Sequence, residues 1–248
     1  MAKLFPLFLF YLLALSASAQ VDLTLSPARA ELALLPGEPF ALTVQVRNGL
    51  AREEPLTVRL TPFRLREDGT LEELPFGDGL CAELRVSPTA FTLPPEGSYE
   101  VRLEGKAPPG EGTLACLVVF TAQPRPGGGG GVRVSLRPEL GFALYVTLKG
   151  TEKPSLLGRV EGAGRALALL LENRGNVLER VTGEAILLDE TGEVVARLPV
   201  VEVPVFPKGS RRVLLEPKTP LPPGRYRVVV LLEGKYRRYA LEGVWSVP

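Results

Sequence analysis

The stretch Leu42-Thr43-Val44-Gln45-Val46-Arg47-Asn48 places an aliphatic side chain at every second position and a polar one between. On a strand, successive side chains point to opposite faces, so this pattern predicts one face on a core and the other in water. The same period recurs along the chain. Leu56, Val58 and Leu60 alternate with Thr57, Arg59 and Thr61; Tyr99, Val101 and Leu103 with Glu100, Arg102 and Glu104; and Val132, Val134 and Leu136 with Arg133, Ser135 and Arg137. Between the runs stand Pro36-Gly37, Asp68-Gly69, Pro94-Pro95, Pro108-Pro109-Gly110 and Thr191-Gly192, all turn chemistry at short spacing. No window after the first residues carries a long helical period bounded by caps. The chain reads as all-β, of the sandwich kind.

It also repeats itself. Gly97-Ser98, Val101, Leu103, Glu104 and Lys106 return as Gly209-Ser210, Val213, Leu215, Glu216 and Lys218, and Pro108-Pro109-Gly110 returns as Pro222-Pro223-Gly224. An apolar strand ends on Arg47-Asn48 in the first half and on Glu172-Asn173 in the second. A repeat of this length exceeds solenoid periods and suits two successive sandwich domains. Gly150 and Pro154 interrupt the strand pattern and place the boundary near Lys149 to Ser155, giving domains over 20–150 and 151–248. The glycine run Gly127 to Gly131 falls inside the first domain and predicts a mobile loop between two strands.

Residues 1–19 read as a cleaved leader. Lys3 is a minimal positive region, Leu4 to Leu15 is apolar, and Ala17-Ser18-Ala19 fits a small-residue cleavage site. The apolar run is short for a spanning helix and contains Pro6, and no cysteine follows the cleavage site to carry a lipid. The chain has 29 basic and 28 acidic residues, and loss of Lys3 with the leader balances them. That balance argues against nucleic acid or an anionic membrane as partner. Depletion of Met, Asn and Gln beside abundant Pro, Arg and Glu fits a thermophilic source, and GC-rich coding gives the same composition. Cys81 and Cys116 are the only cysteines, and export permits a disulfide between them; two buried free thiols are the other reading.

Catalytic chemistry finds little to work with. The chain has no histidine, so it lacks the commonest general base, the usual serine triad and most zinc or copper ligand sets. The adjacent acids Glu53-Glu54, Glu72-Glu73 and Asp189-Glu190 point to opposite faces if they lie on strands, which suits solvated turns better than acid–base pairs. The glycine run has no Lys or Ser/Thr of a phosphate loop and opens no helix. The expectation is a binding protein, not an enzyme, with no metal, no cofactor and no small-molecule substrate.

Leu25-Ser26-Pro27-Ala28-Arg29-Ala30-Glu31-Leu32, Val44 to Asn48, Val86-Ser87-Pro88 with Phe91-Thr92-Leu93-Pro94-Pro95, Val118-Val119-Phe120 before Pro124, and the alternating run Val132 to Leu136 together resemble a known pattern. Over roughly Val21 to Leu148 the chain resembles the periplasmic pilus-assembly chaperones, the PapD-like family of immunoglobulin-type sandwiches. The second half, with Glu172-Asn173-Arg174-Gly175-Asn176 and Leu221 to Tyr226, looks like a generic immunoglobulin-like extension of exported bacterial proteins. The resemblance implies two successive immunoglobulin-like β-sandwich domains after a cleaved signal peptide. It also implies strand addition to an exported pilin-like or surface subunit in the periplasm or outside the cell, with membrane contact only through an assembly partner. Val132, Val134 and Leu136 would fill the subunit's groove; the residues themselves leave open whether that face packs the protein's own core. The family anchors a terminal carboxylate with an Arg on the first strand and a Lys on the last. Arg29 fits the first position, the segment Glu139 to Tyr145 holds no cation, and Arg137 is the nearest substitute for the second. The alternative expectation is a structural or adhesive immunoglobulin-like envelope component without a release cycle.

Overall fold

The computed structural model describes residues 22–126 and 135–247. The signal segment 1–19, the glycine run Gly127 to Gly131, Val132 and Val134 lie outside the described residues. All regular structure among the described residues is β, in two sandwich domains. The first contains β1 (Leu23–Ser26), β2 (Arg29–Leu34), β3 (Pro39–Asn48), β4 (Glu54–Thr61), β5 (Phe63–Leu65), β6 (Leu71–Glu73), β7 (Leu84–Ser87), β8 (Ala90–Leu93), β9 (Ser98–Lys106), β10 (Thr113–Ala122), β11 (Arg125–Pro126), β12 (Ser135–Leu136) and β13 (Glu139–Leu148). The second contains β14 (Leu156–Ala163), β15 (Ala166–Asn173), β16 (Glu179–Leu188), β17 (Val194–Val205), β18 (Ser210–Leu215), β19 (Gly224–Glu233) and β20 (Arg238–Val247).

In the first domain a sheet in the order β1-β3-β9-β7 faces one in the order β2-β13-β10-β4-β8. The alternation that opens the sequence acts as expected: Val44 and Val46 on β3 and Val101 and Leu103 on β9 are fully buried. They meet Cys116, Val118 and Phe120 from β10 and Phe142, Leu144 and Val146 from β13. Each such aliphatic contributes roughly 1.5–3 kcal/mol when fully withdrawn from water. Tyr99 departs from the alternation: at 38% exposure it stacks on Phe91 outside the core, ring centroids 4.6 Å apart. A disulfide joins Cys81, in the loop before β7, to Cys116 on β10, and so ties the two sheets together.

The second domain packs β14-β15-β18 against β17-β16-β19-β20 around Leu167, Leu169, Leu187, Val228, Val230 and Trp245. Tyr226 buries its ring and donates its hydroxyl to the Pro222 carbonyl at 2.9 Å, the corner that immunoglobulin-like sandwiches use to fix a strand's start. The repeat in the sequence is a repeat in space. Asn48 at the end of β3 and Asn173 at the end of β15 are both buried, and each donates to two backbone carbonyls and accepts from the amide two residues on. In the turn 189–193, the Asp189 carboxylate accepts the Thr191 amide and hydroxyl and the Glu193 amide, the work of an Asx turn.

The apolar run Leu117 to Phe120 is buried on both faces for a tertiary reason. Even-numbered residues of β10 enter the first core, while Leu117 and Val119 turn outward and are covered by Leu178 and Phe206 of the second domain. Phe63, Tyr145 and Phe206 complete that contact, with ring centroids 5.3 to 5.9 Å apart. Main-chain bonds reinforce it: the Thr113 amide donates to the Asn176 carbonyl at 2.8 Å, and the Leu178 amide to the Thr113 hydroxyl at 3.0 Å.

Candidate partner-binding edge

β13 is bonded along its length on one side only. Toward β10 the pairing runs from Glu139 through Thr147, whereas toward β2 it begins at Ala143, opposite Arg29. The reason lies in β2, which starts only after the chain has crossed from the first sheet through Ser26-Pro27-Ala28. The Ala143 amide donates to the Ala28 carbonyl, and the Ala122 amide donates to Pro138 on the opposite side. Odd-numbered residues of β13 therefore aim their main-chain groups away from β10, and Glu139 and Gly141 present theirs with no strand beside them among the described residues. The side chains there alternate between solvent and core: Glu139 and Gly141 are exposed, Leu140 is half-buried and Phe142 fully buried.

Arg29 stands where this free edge meets the start of β2. Its guanidinium forks onto the Glu202 carboxylate from β17, with Nη1 and Nη2 at 2.6 and 3.0 Å. Glu202 also accepts Arg180 Nη1 at 3.2 Å, and Arg180 Nε donates to Glu31. Arg180 lies 5.0 Å over the Tyr145 ring and is only 14% exposed at its side chain, against 48% for Arg29. The Arg29 hydrogen bond holds the Glu202 carboxyl below its ordinary range, and the same bond raises Arg29 against the opposing effect of burial. Burial pushes the Tyr145 hydroxyl up. The junction is thus a charge-balanced ring of two arginines and two glutamates, drawn from both domains and floored by an aromatic ring.

Of the residues singled out in the sequence, Arg29 stands beside the free edge of β13, a strand that the sequence reading did not name as the binding strand; Val132 and Val134, which it did name, lie outside the described residues. Leu136 pairs by its main chain with Arg125 in the ribbon β11–β12, and its side chain lies outside the described residues. Arg137 is exposed and precedes β13; from 137 to 143 along a strand is roughly 20 Å, so it stands apart from Arg29. The second cation near Arg29 is Arg180, supplied by the other domain. Sequence reasoning missed Arg180 and Glu202 because no local motif joins β16 and β17 to β2, and Tyr145 because its part in the ring comes only from Arg180 lying over it. Glu31 carried a signal: at two residues from Arg29 on a strand it shares that residue's face.

No family model matches the sequence, and no curated protein matches it. Solved structures match in shape. The class 5 fimbriae chaperone CfaA aligns with a TM-score of 0.50 at 16% identity, over 92% of this chain and 100% of its own. A chain from the chaperone–tip adhesin complex of CFA/I fimbriae biogenesis gives 0.50 at 14% identity with the same coverage. The fold is that of the PapD-like fimbrial chaperones. At these identities the likeness is one of architecture, and residue roles rest on this chain's own geometry. Within the chaperone fold, the free edge of β13 and the Arg29 ring sit together at the junction of the domains. Among the described residues no group of acids and cysteines is placed to hold a metal ion, and no helix is long and apolar enough to cross a membrane.

Proposed function

We propose that the protein is a chaperone-like assembly factor, exported to the periplasm or beyond, that holds a pilin-like or surface subunit by strand addition to β13. The observation that carries this reading is the unpaired stretch Glu139 to Phe142, which ends where β2 begins at Arg29. Because β2 runs parallel to β13, a partner strand lying parallel in the vacant stretch would finish at the first residue of β2. Its terminal carboxylate would then meet the Arg29 guanidinium. A charge-assisted bond of that kind is worth about 1.5–3 kcal/mol, less at a half-exposed site. Main-chain groups of Glu139 and Gly141 would supply the ladder. The chaperone–tip adhesin complex among the matching folds supports an exported subunit as the partner class.

Affinity capture from the envelope fraction of the native host tests this, with wild type beside Arg29→Ala and Arg29→Lys. The expected result is one dominant co-purifying exported subunit, lost with Ala and partly kept with Lys. Equal recovery of that subunit by all three proteins would remove Arg29 from the reading. Recovery of envelope scaffolding alone would favour the structural alternative.

A further inference from the structure

Glu202 reaches the first domain through an irregularity in the pairing of β17. Val203 stands opposite Val181 and Val200 opposite Gly183, so the two residues Val201 and Glu202 face the single residue Thr182. This is a β-bulge, and it breaks the alternation of the strand: Val200 and Val203 are buried, while Val201 and Glu202 are both exposed. Gly183 has no room for a side chain here, since a Cβ would fall 2.0 Å from the Leu231 carbonyl oxygen.

The result is a carboxylate seated on two guanidiniums. Glu202 Oε1 accepts Arg29 Nη1 at 2.6 Å and Arg180 Nη1 at 3.2 Å, and Oε2 accepts Arg29 Nη2 at 3.0 Å. The members of this seat are not equally fixed. Arg180 is 14% exposed, lies over the Tyr145 ring and donates its Nε to Glu31, whereas Glu202 is 38% exposed and stands out from the bulge. Without Glu202 the two guanidiniums would face Glu31 alone, leaving an unbalanced positive charge where the vacant stretch of β13 ends. A second carboxylate brought to Arg29 with Glu202 still in place would reverse that balance and compete for the same N–H groups.

We propose that Glu202 holds, in the free protein, the place of the partner's terminal carboxylate, and that capture exchanges one carboxylate for the other on the seat formed by Arg29 and Arg180. The inference rests on strand addition to β13 and adds to it an internal competitor and a second cation. The exchange is one for one, so the junction stays balanced while Glu202 turns into water. Arg180 supplies the cation that the segment Glu139 to Tyr145 does not hold. The seat selects a chain end by its chemistry: a carboxylate offers the two oxygens that Glu202 uses, whereas an amide offers one acceptor and sets its own N–H groups against the guanidiniums.

The test uses the full chain and the peptide Ser-Val-Thr-Val-Thr-Val, fluorescein-labelled at its N-terminus, with either a free C-terminal carboxylate or an amide, followed by fluorescence anisotropy. Wild type should bind the carboxylate form roughly threefold or more tightly than the amide. Glu202→Gln should tighten the carboxylate form by a further factor of roughly three to ten and leave the amide form within about twofold. Adding Arg180→Gln to that variant should abolish the gain, with Trp245 fluorescence checking that the second domain stays folded; if it does not, Glu202→Gln alone decides the exchange. The seat is overturned, with strand addition left standing, if the two forms bind alike to wild type and to Glu202→Gln, or if Glu202→Gln tightens the amide as much as the carboxylate. A folded double variant that keeps the full gain would remove Arg180 from the seat. Failure of both forms to bind either protein would overturn strand addition itself, and the exchange with it.

Discussion

Replacing Asn173 by Ala removes three hydrogen bonds at once from a site 1% exposed: Nδ2 to the Val177 carbonyl at 2.7 Å, Nδ2 to the Val205 carbonyl at 2.9 Å, and the Gly175 amide to Oδ1 at 2.9 Å. At about 1 kcal/mol net for each buried bond, the loss is about 3 kcal/mol. Asn48→Ala is the internal control. It breaks the matching bonds to the Arg52 and Pro94 carbonyls and from the Leu50 amide, but Arg52 is exposed and water can reach its carbonyl. The control should cost about 1–2 kcal/mol. Trp245, the only tryptophan, is buried in the second domain, so urea unfolding followed by its fluorescence isolates the first variant's effect. Circular dichroism follows the control. Asn173→Asp should fare worse than Ala, because it sets a carboxylate against two carbonyls that expect donors. A loss under 1 kcal/mol for Asn173→Ala, or one no larger than that of Asn48→Ala, would refute the equivalence of the two turns and the weight given to burial.

Glu202→Gln should leave the fold intact and tighten capture of a subunit roughly three- to tenfold, because the internal carboxylate that occupies Arg29 is gone; weaker capture in a pull-down titration would show that Glu202 assists binding instead. Reducing the Cys81–Cys116 bond, whose partners are 35 residues apart, should lower first-domain stability by roughly 3–4 kcal/mol and leave the Trp245 transition nearly unmoved; two coincident downward shifts would contradict independent cores. Burial raises the Glu179 carboxyl above its ordinary range, against the lowering effect of the Tyr239 hydroxyl bonded to it at 2.7 Å and of Arg237. A carboxyl raised in the folded state contributes stability that is fully present below the unfolded value of about 4.3 and is lost as pH rises through the raised value. Glu179→Gln should therefore flatten the pH dependence of the Trp245 transition above that point, and an unchanged slope would count against burial as the cause.

What could be read in the sequence follows the range of the interactions. Val44, Val46, Val101 and Leu103 announced their burial because a strand's period is local, and the paired Asn and Gly-Ser signatures announced the two domains because each marks a turn. Leu117 and Val119 read as an apolar run but not as a domain contact, since Leu178 and Phe206 cover them from far along the chain. Arg29 was legible as a lone cation on an early strand. Its ring was not, because Glu202 and Arg180 arrive through the docking of β16 and β17.

The central claim is that the edge of β13 ahead of Arg29 is vacant in the free protein and filled in the complex. Amide hydrogen exchange at Glu139 and Gly141, measured for the chain alone and bound to its captured subunit, tests it most directly. The account predicts fast exchange at both amides in the free protein beside a protected Ala143, and protection of both in the complex. Slow exchange of Gly141 in the free chain, or no change on binding, would contradict it.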